Sequence, residues 1–127
     1  MPDRAAPQVL YVEDDRMHLV LMEEVFRRLP GWELICAETG AEALALLADE
    51  CPTLALIDMN LPDTDGLALI ARIQQMPQHA GMRCVVLSAD DPAHSLAAAQ
   101  AAGFDDYWLK PIDVLKLQAV LLKMLEA

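Results

Sequence analysis

Leu54–Gly66 reads LALIDMNLPDTDG, and the order of residue types in this stretch decides the fold. Four apolar residues, Leu54 to Ile57, run directly into Asp58. So short an apolar run, bounded by turn formers, is the pattern of a strand buried on both faces. A strand of that kind is central in a parallel sheet. Asp58 then stands at its C-terminal end, where open α/β sheets place their ligand sites. Asn60-Leu61-Pro62-Asp63-Thr64-Asp65-Gly66 follows as a loop rich in turn formers. Taken alone, Asp58 reads as a carboxylate that ends a strand or caps a turn.

Upstream, Val9–Val12 is a compact apolar run that ends in Glu13, Asp14 and Asp15. A first helix is expected over Arg16–Leu29, with Met22, Val25, Phe26 and Leu29 as its apolar stripe and Pro30-Gly31 as its stop. Trp32–Ala37 reads as a second strand. Thr39-Gly40-Ala41-Glu42 has the capping-box spacing, so a second helix starts there and runs to Asp49. Downstream of the central strand come a helix over Gly66–Met76, a strand over Arg83–Leu87 ending in Ser88, and a helix over Pro92–Ala102. Asp91 is the expected N-cap of that helix and Gly103 its stop. A fifth strand, Asp106–Leu109, ends in Lys110-Pro111, and Asp113 caps a fifth helix, Val114–Leu125. Five strands alternating with five helices call for right-handed crossovers and a doubly wound parallel sheet. Met1–Pro7 is a loose tail, and residues 8–127 form one domain. With helix five closing the chain, no output domain is expected within it.

The 127 residues suffice for one core, and 55% hydrophobic content argues against disorder. Aromatics supply only 5%, so that core is aliphatic. A net charge of −11 argues against direct nucleic-acid binding, which needs a basic face, and suits a site that collects a divalent cation. Cys36, Cys51 and Cys84 lack CxxC spacing and read as small buried hydrophobes in a reducing compartment. No apolar run spans a membrane, and MPDRAAPQ has no signal-peptide core, so a cytoplasmic protein is expected.

Every candidate for chemistry falls at the C-terminal end of an expected strand. Strand one supplies Glu13 and Asp14, strand three Asp58, strand four Ser88 and strand five Lys110. Singly they read as a charged helix start, a strand end, a loop hydroxyl and a surface lysine. Their common position at one end of the sheet ties them together. Clustered carboxylates repel unless a cation joins them. Mg²⁺ takes oxygen ligands in an octahedron and keeps several waters. Two carboxylates plus the Asn60 carbonyl would leave positions for water and a phosphoryl oxygen. A metal-bound carboxylate can attack phosphorus, with Lys110 and Ser88 offsetting charge on the transferring group. Zinc is not expected, since no His or Cys falls near these strand ends in the sequence.

VLYVED at strand one, LIDMNLPDTDG at strand three, VLSAD at strand four and DDYWLKPID at strand five together resemble the receiver domain of two-component response regulators. The resemblance covers Gln8 to Leu125. It implies the flavodoxin-like α/β fold with strand order 2-1-3-4-5. It also implies Asp58 as phosphoacceptor, Mg²⁺ as cofactor at Glu13, Asp14, Asp58 and Asn60, and Ser88 and Lys110 as the hydroxyl and lysine that assist. Tyr107 matches the family's switch aromatic and works with Ser88. Asn60 and Asp90 flank the path of a hydrolytic water, and the bond before Pro111 is expected to be cis.

The implied partners are a histidine kinase or a histidine phosphotransfer protein, and a downstream protein target. The target would meet a face formed by helix four, strand five and helix five, where Leu115 and Leu122 lie off the buried stripe. Neither nucleic acid nor a membrane is an expected partner. AAGFDDYWLKPID is similar to receivers attached to hybrid histidine kinases. An excised receiver is therefore one alternative to a free-standing protein, and a degenerate receiver-like interaction module is another. Two other classes fit worse. A flavin binder needs a phosphate-cradling loop after strand one, where three acids stand instead. An aspartyl-phosphate phosphatase carries both acids of its motif on the first strand.

Overall fold

The computed structural model describes residues 7–29, 31–89 and 92–126. The strands are β1 (Gln8–Val12), β2 (Glu33–Ala37), β3 (Leu54–Asp58), β4 (Arg83–Ser88) and β5 (Asp106–Leu109). They alternate with α1 (Arg16–Arg27), α2 (Gly40–Asp49), α3 (Gly66–Gln74), α4 (Pro92–Ala102) and α5 (Val114–Glu126). All strand pairings are parallel, in the order β2-β1-β3-β4-β5, as expected. β3 lies in the middle and is buried at every position. Its Leu56 and Ile57 are wholly inaccessible, and each such side chain contributes about 1.5–3 kcal/mol by burial.

Alternation along the strands sends their side chains to two cores. One face of the sheet packs Leu10, Val12, Ala55, Ile57, Val86 and Tyr107 against α2, α3 and α4. The other packs Val9, Tyr11, Leu54, Leu56, Leu87 and Trp108 against α1 and α5. A cavity of about 420 Å³ lies between α1 and α5, lined by Tyr11, Met22, Val25, Ile112 and Leu117 among others.

The helix ends follow local chemistry. Asp15 caps α1 through the Met17 N–H, and Asp113 caps α5 through the Leu115 and Lys116 N–H groups. Thr39 accepts from Glu42 N–H as the capping box requires. The Glu42 carboxylate, however, reaches the Glu38 N–H rather than that of Thr39. Asp65 caps α3 through the Ala68 N–H, a cap the sequence reading did not assign. Past α4, Gly103 has φ +112°, and Phe104 N–H donates to Ala99 O while Gly103 N–H donates to Gln100 O. These two bonds form a Schellman motif, with Phe104 and Ala99 sharing the core beneath it.

Several expectations need correction. α1 stops at Arg27, not Leu29, and α3 at Gln74, not Met76. A short 3-10 turn at Pro77–His79 buries His79 against the Leu47 carbonyl, 2.6 Å away. Trp32 precedes β2 rather than starting it. Cys51 is exposed and Cys36 half-buried, so only Cys84 is a buried hydrophobe as expected. Burial pushes the Cys84 thiol up to about 12 and that of Cys36 to about 11, which keeps both protonated. Most of the tail at 1–7, the stop at Pro30 and the cap at Asp91 lie outside the described residues.

Gly103 supplies a direct stability test. A Cβ there would sit in strained backbone and displace the Gln74 side-chain amide. Gly103→Ala should destabilise the fold by about 1–3 kcal/mol, read as a lower thermal midpoint with unchanged far-UV circular dichroism.

Candidate functional site

The parallel register levels the strand ends. Val12 pairs with Ile57, so Glu13 and Asp58 follow side by side. Asp58 pairs with Leu87 and Ser88 with Leu109, which brings Ser88 and then Lys110 to the same edge. The Lys110 N–H continues the ladder to Ser88 O at 2.8 Å. Alternation then sorts the side chains. Glu13, Asp58 and Lys110 continue the series of Tyr11, Leu56 and Trp108, on the α1 and α5 face. Ser88 continues the series of Val86 on the opposite face, where Tyr107 also lies.

Lys110 comes from a strand two places away from β3, and its long stem crosses β4 to reach the acids. Its Nζ lies 3.0 Å from Oε1 of Glu13 and 3.1 Å from Oδ2 of Asp58. The Lys110–Pro111 bond is cis, as expected. Asp58 Oδ1 also accepts the Asn60 N–H at 3.3 Å. Glu13 is nearly inaccessible, and its carboxylate collects further donors: Tyr11 Oη at 3.2 Å and the Asp15 N–H at 3.2 Å. His18 Nδ1 faces the same Oε1 at 3.3 Å. The sequence reading placed no histidine near this edge; the first turn of α1 brings one in.

The loop after Asp58 is held from both sides. Gly66 N–H donates to Met59 O at 2.7 Å. A Cβ on Gly66 would lie 3.2 Å from the Asp58 carbonyl oxygen, a tight approach that favours glycine at this close return. Across the loop, Asp63 accepts the Gly40 and Ala41 N–H groups at 2.8 and 3.0 Å, which holds its carboxyl below the usual carboxylate range. The start of α2 thus anchors the loop after Asp58.

Glu13, Asp14 and Asp58 each offer a carboxylate oxygen within 4.8 Å of the others. Three carboxylates and one ammonium leave a formal charge of −2, and an all-oxygen donor set with that charge fits a hard divalent cation. The electrostatics agree. Burial pushes the Asp58 carboxyl up, and nearby Glu13 adds to this against the pull of Lys110. Burial also pushes Glu13 up, but its bonds from Lys110 and Asp15 outweigh that and hold it low. Ser88 is buried at this edge, and the Tyr107 ring is already inside the fold. Asn60 is exposed, and Asp90 lies outside the described residues.

Residues 9–122 match the sequence profile of the response regulator receiver domain. This chain belongs to that family. The receiver is 34% identical over 114 residues to the transcriptional regulatory protein PrrA of Mycobacterium bovis, covering 90% of this chain and 48% of that protein. It therefore spans about half the length of that regulator. It is 32% identical over 122 residues to an uncharacterized 14.6 kDa protein of Leptolyngbya boryana, covering 92% of this chain and 88% of that one. Among solved structures, a putative response regulator from Chloroflexus aurantiacus superposes with a TM-score of 0.85 at 28% identity, covering 97% of this receiver and 100% of that chain. A CheY-like receiver domain from Methylobacillus flagellatus does so with a TM-score of 0.82 at 29% identity, covering 94% and 98%. Among the described residues no helix is long and apolar enough to cross a membrane.

The raised Asp58 pKa has a defined consequence for stability. Stability linked to this group is complete below the ordinary value of 3.8 and is lost as pH rises through the raised value. Asp58→Asn has no charge to lose. In EDTA, Asp58→Asn should therefore melt above the parent at about pH 7, with the gap closing as pH falls toward the carboxylate range. Thermal melts across that range check this, and added Mg²⁺ should narrow the gap by stabilising the parent alone.

Proposed function

We propose that this receiver is a phosphoacceptor in a two-component phosphorelay, in the cytoplasm, with residues 8–127 as its single domain. Asp58 attacks the phosphorus of a phosphohistidine on a histidine kinase or phosphotransfer protein. The Asp58 O–P bond forms as the P–N bond breaks, and the imidazole leaves. The observation that carries this reading is the Lys110 ammonium held between Glu13 and Asp58, on a sheet edge that also presents Asp14 and Ser88. Lys110 offsets charge on the transferring oxygens and the Ser88 hydroxyl donates to one of them. Glu13, Asp14, Asp58 and the Asn60 carbonyl would hold Mg²⁺, which when bound neutralises charge between the acids and the phosphoryl group. The all-carboxylate cluster and its net charge support that assignment. Three free thiols agree with a reducing compartment.

The signal leaves through α4, β5 and α5. Ser88 and Tyr107 share the face of the sheet that α4 covers. A phosphoryl group that draws the Ser88 hydroxyl toward it vacates space beside Tyr107 and favours its buried position, one of two packings. Leu115 and Leu122 on α5 are 76% and 63% exposed, as the sequence reading anticipated, and offer apolar surface to a protein target.

Incubation with acetyl phosphate and Mg²⁺ should add one phosphoryl group, seen by intact-protein mass. Asp58→Asn or EDTA should abolish it, whereas uptake by Asp58→Asn at the parent's rate would overturn the assignment. Beryllofluoride should change hydrogen exchange in α4 and β5 and leave α2 unchanged. A change confined to the loop after Asp58 would refute the route through Ser88 and Tyr107.

A further inference from the structure

Glu13 differs from the other two acids of the cluster in being longer and in carrying more donors. Its Oε1 alone is within 3.3 Å of Lys110 Nζ, Tyr11 Oη and His18 Nδ1. Tyr11 stands two residues earlier in the chain, so strand alternation puts both side chains on the α1 and α5 face. The Tyr11 ring is 2% exposed, packed with Leu19, Met22 and Leu117. Its hydroxyl emerges from that packing at the floor of the carboxylate cluster. A carboxylate only accepts, so the phenol is the donor. Burial, and then the Glu13 charge, push the phenol far above its ordinary range and keep the proton on it.

We propose that the Tyr11 hydroxyl is a positioning group for the cation site. It pins Glu13 in the orientation in which the carboxylates of Glu13, Asp14 and Asp58 lie within 4.8 Å of one another. Lys110 and His18 reach Oε1 by long or partly solvated side chains. Tyr11 approaches on a rigid ring fixed in the core, so its donor cannot follow if Glu13 turns away. The proposal rests on the reading of this cluster as the Mg²⁺ site for Asp58 phosphorylation. Groups that hydrogen-bond a cation-site carboxylate set its orientation, and their loss weakens metal binding by about 10–100-fold.

Tyr11→Phe keeps the ring and removes only the donor. Mn²⁺ is the probe, with free Mn²⁺ read by electron paramagnetic resonance; Mg²⁺ serves in the acetyl phosphate reaction. Tyr11→Phe should weaken Mn²⁺ binding about tenfold and raise the half-saturating Mg²⁺ by a similar factor. The phosphorylation rate at saturating Mg²⁺ should stay near the parent's. In a Glu13→Gln background, removing the hydroxyl should change Mn²⁺ binding much less than in the parent, because its target has lost its charge. If the hydroxyl served only to satisfy a buried phenol, Tyr11→Phe would move the melting temperature and leave half-saturation unchanged, and that result overturns the proposal. So does an equal loss in both backgrounds. If the parent itself neither binds Mn²⁺ nor takes up a phosphoryl group, the cation-site reading fails instead.

Discussion

One ammonium between two buried carboxylates is the contact on which the rest of this molecule depends. Glu13 and Asp58 stand level at the ends of adjacent parallel strands, close enough to repel, and both are nearly inaccessible to water. Breaking up such an arrangement by removing its counter-charge is far more costly than losing a surface pair. Lys110 supplies that charge from β5, reaching across β4. For it to do so, the four strands β1, β3, β4 and β5 must keep register and the lysine must share a face with both acids. The site therefore depends on the whole sheet, not on one loop.

The same contact leaves the cluster incomplete. With Asp14 included, three carboxylates face one ammonium, and the remaining −2 is what the +2 of a divalent cation would offset. A proton is the competing partner, and Asp58, whose carboxyl burial pushes up while that of Glu13 is held low, takes it more readily than Glu13. The residue proposed to receive the phosphoryl group is thus the one whose ionisation most needs the cation.

The two faces of the sheet divide the work. Glu13, Asp58 and Lys110 lie on the side of α1 and α5, with Tyr11 and His18 beneath and beside them. Ser88 and Tyr107 lie on the side of α4. β4 joins the two faces, because Ser88 ends the strand that Lys110 crosses. Asp63, bonded to two N–H groups at the start of α2, holds the loop after Asp58 in place.

Much of this was legible in the chain. The apolar run ending in Asp58, the triple acid after Val12, Thr39 as a cap and Gly103 as a stop are all written in neighbouring residues. Local sterics and hydrogen bonding act over a few residues, so they determined the order of strands and helices and the residues at each strand end. Other features were not written there. The sequence marks no role for His18 or Tyr11, and Cys51 reads there as a buried thiol. Lys110 and Asp58 are 52 residues apart, and whether they meet depends on strand order, register and facing. Those are settled by which apolar surfaces bury one another, an energy summed over the whole core. The sequence by itself determined which chemical groups reach the edge of the sheet; only the tertiary structure decided which of them touch.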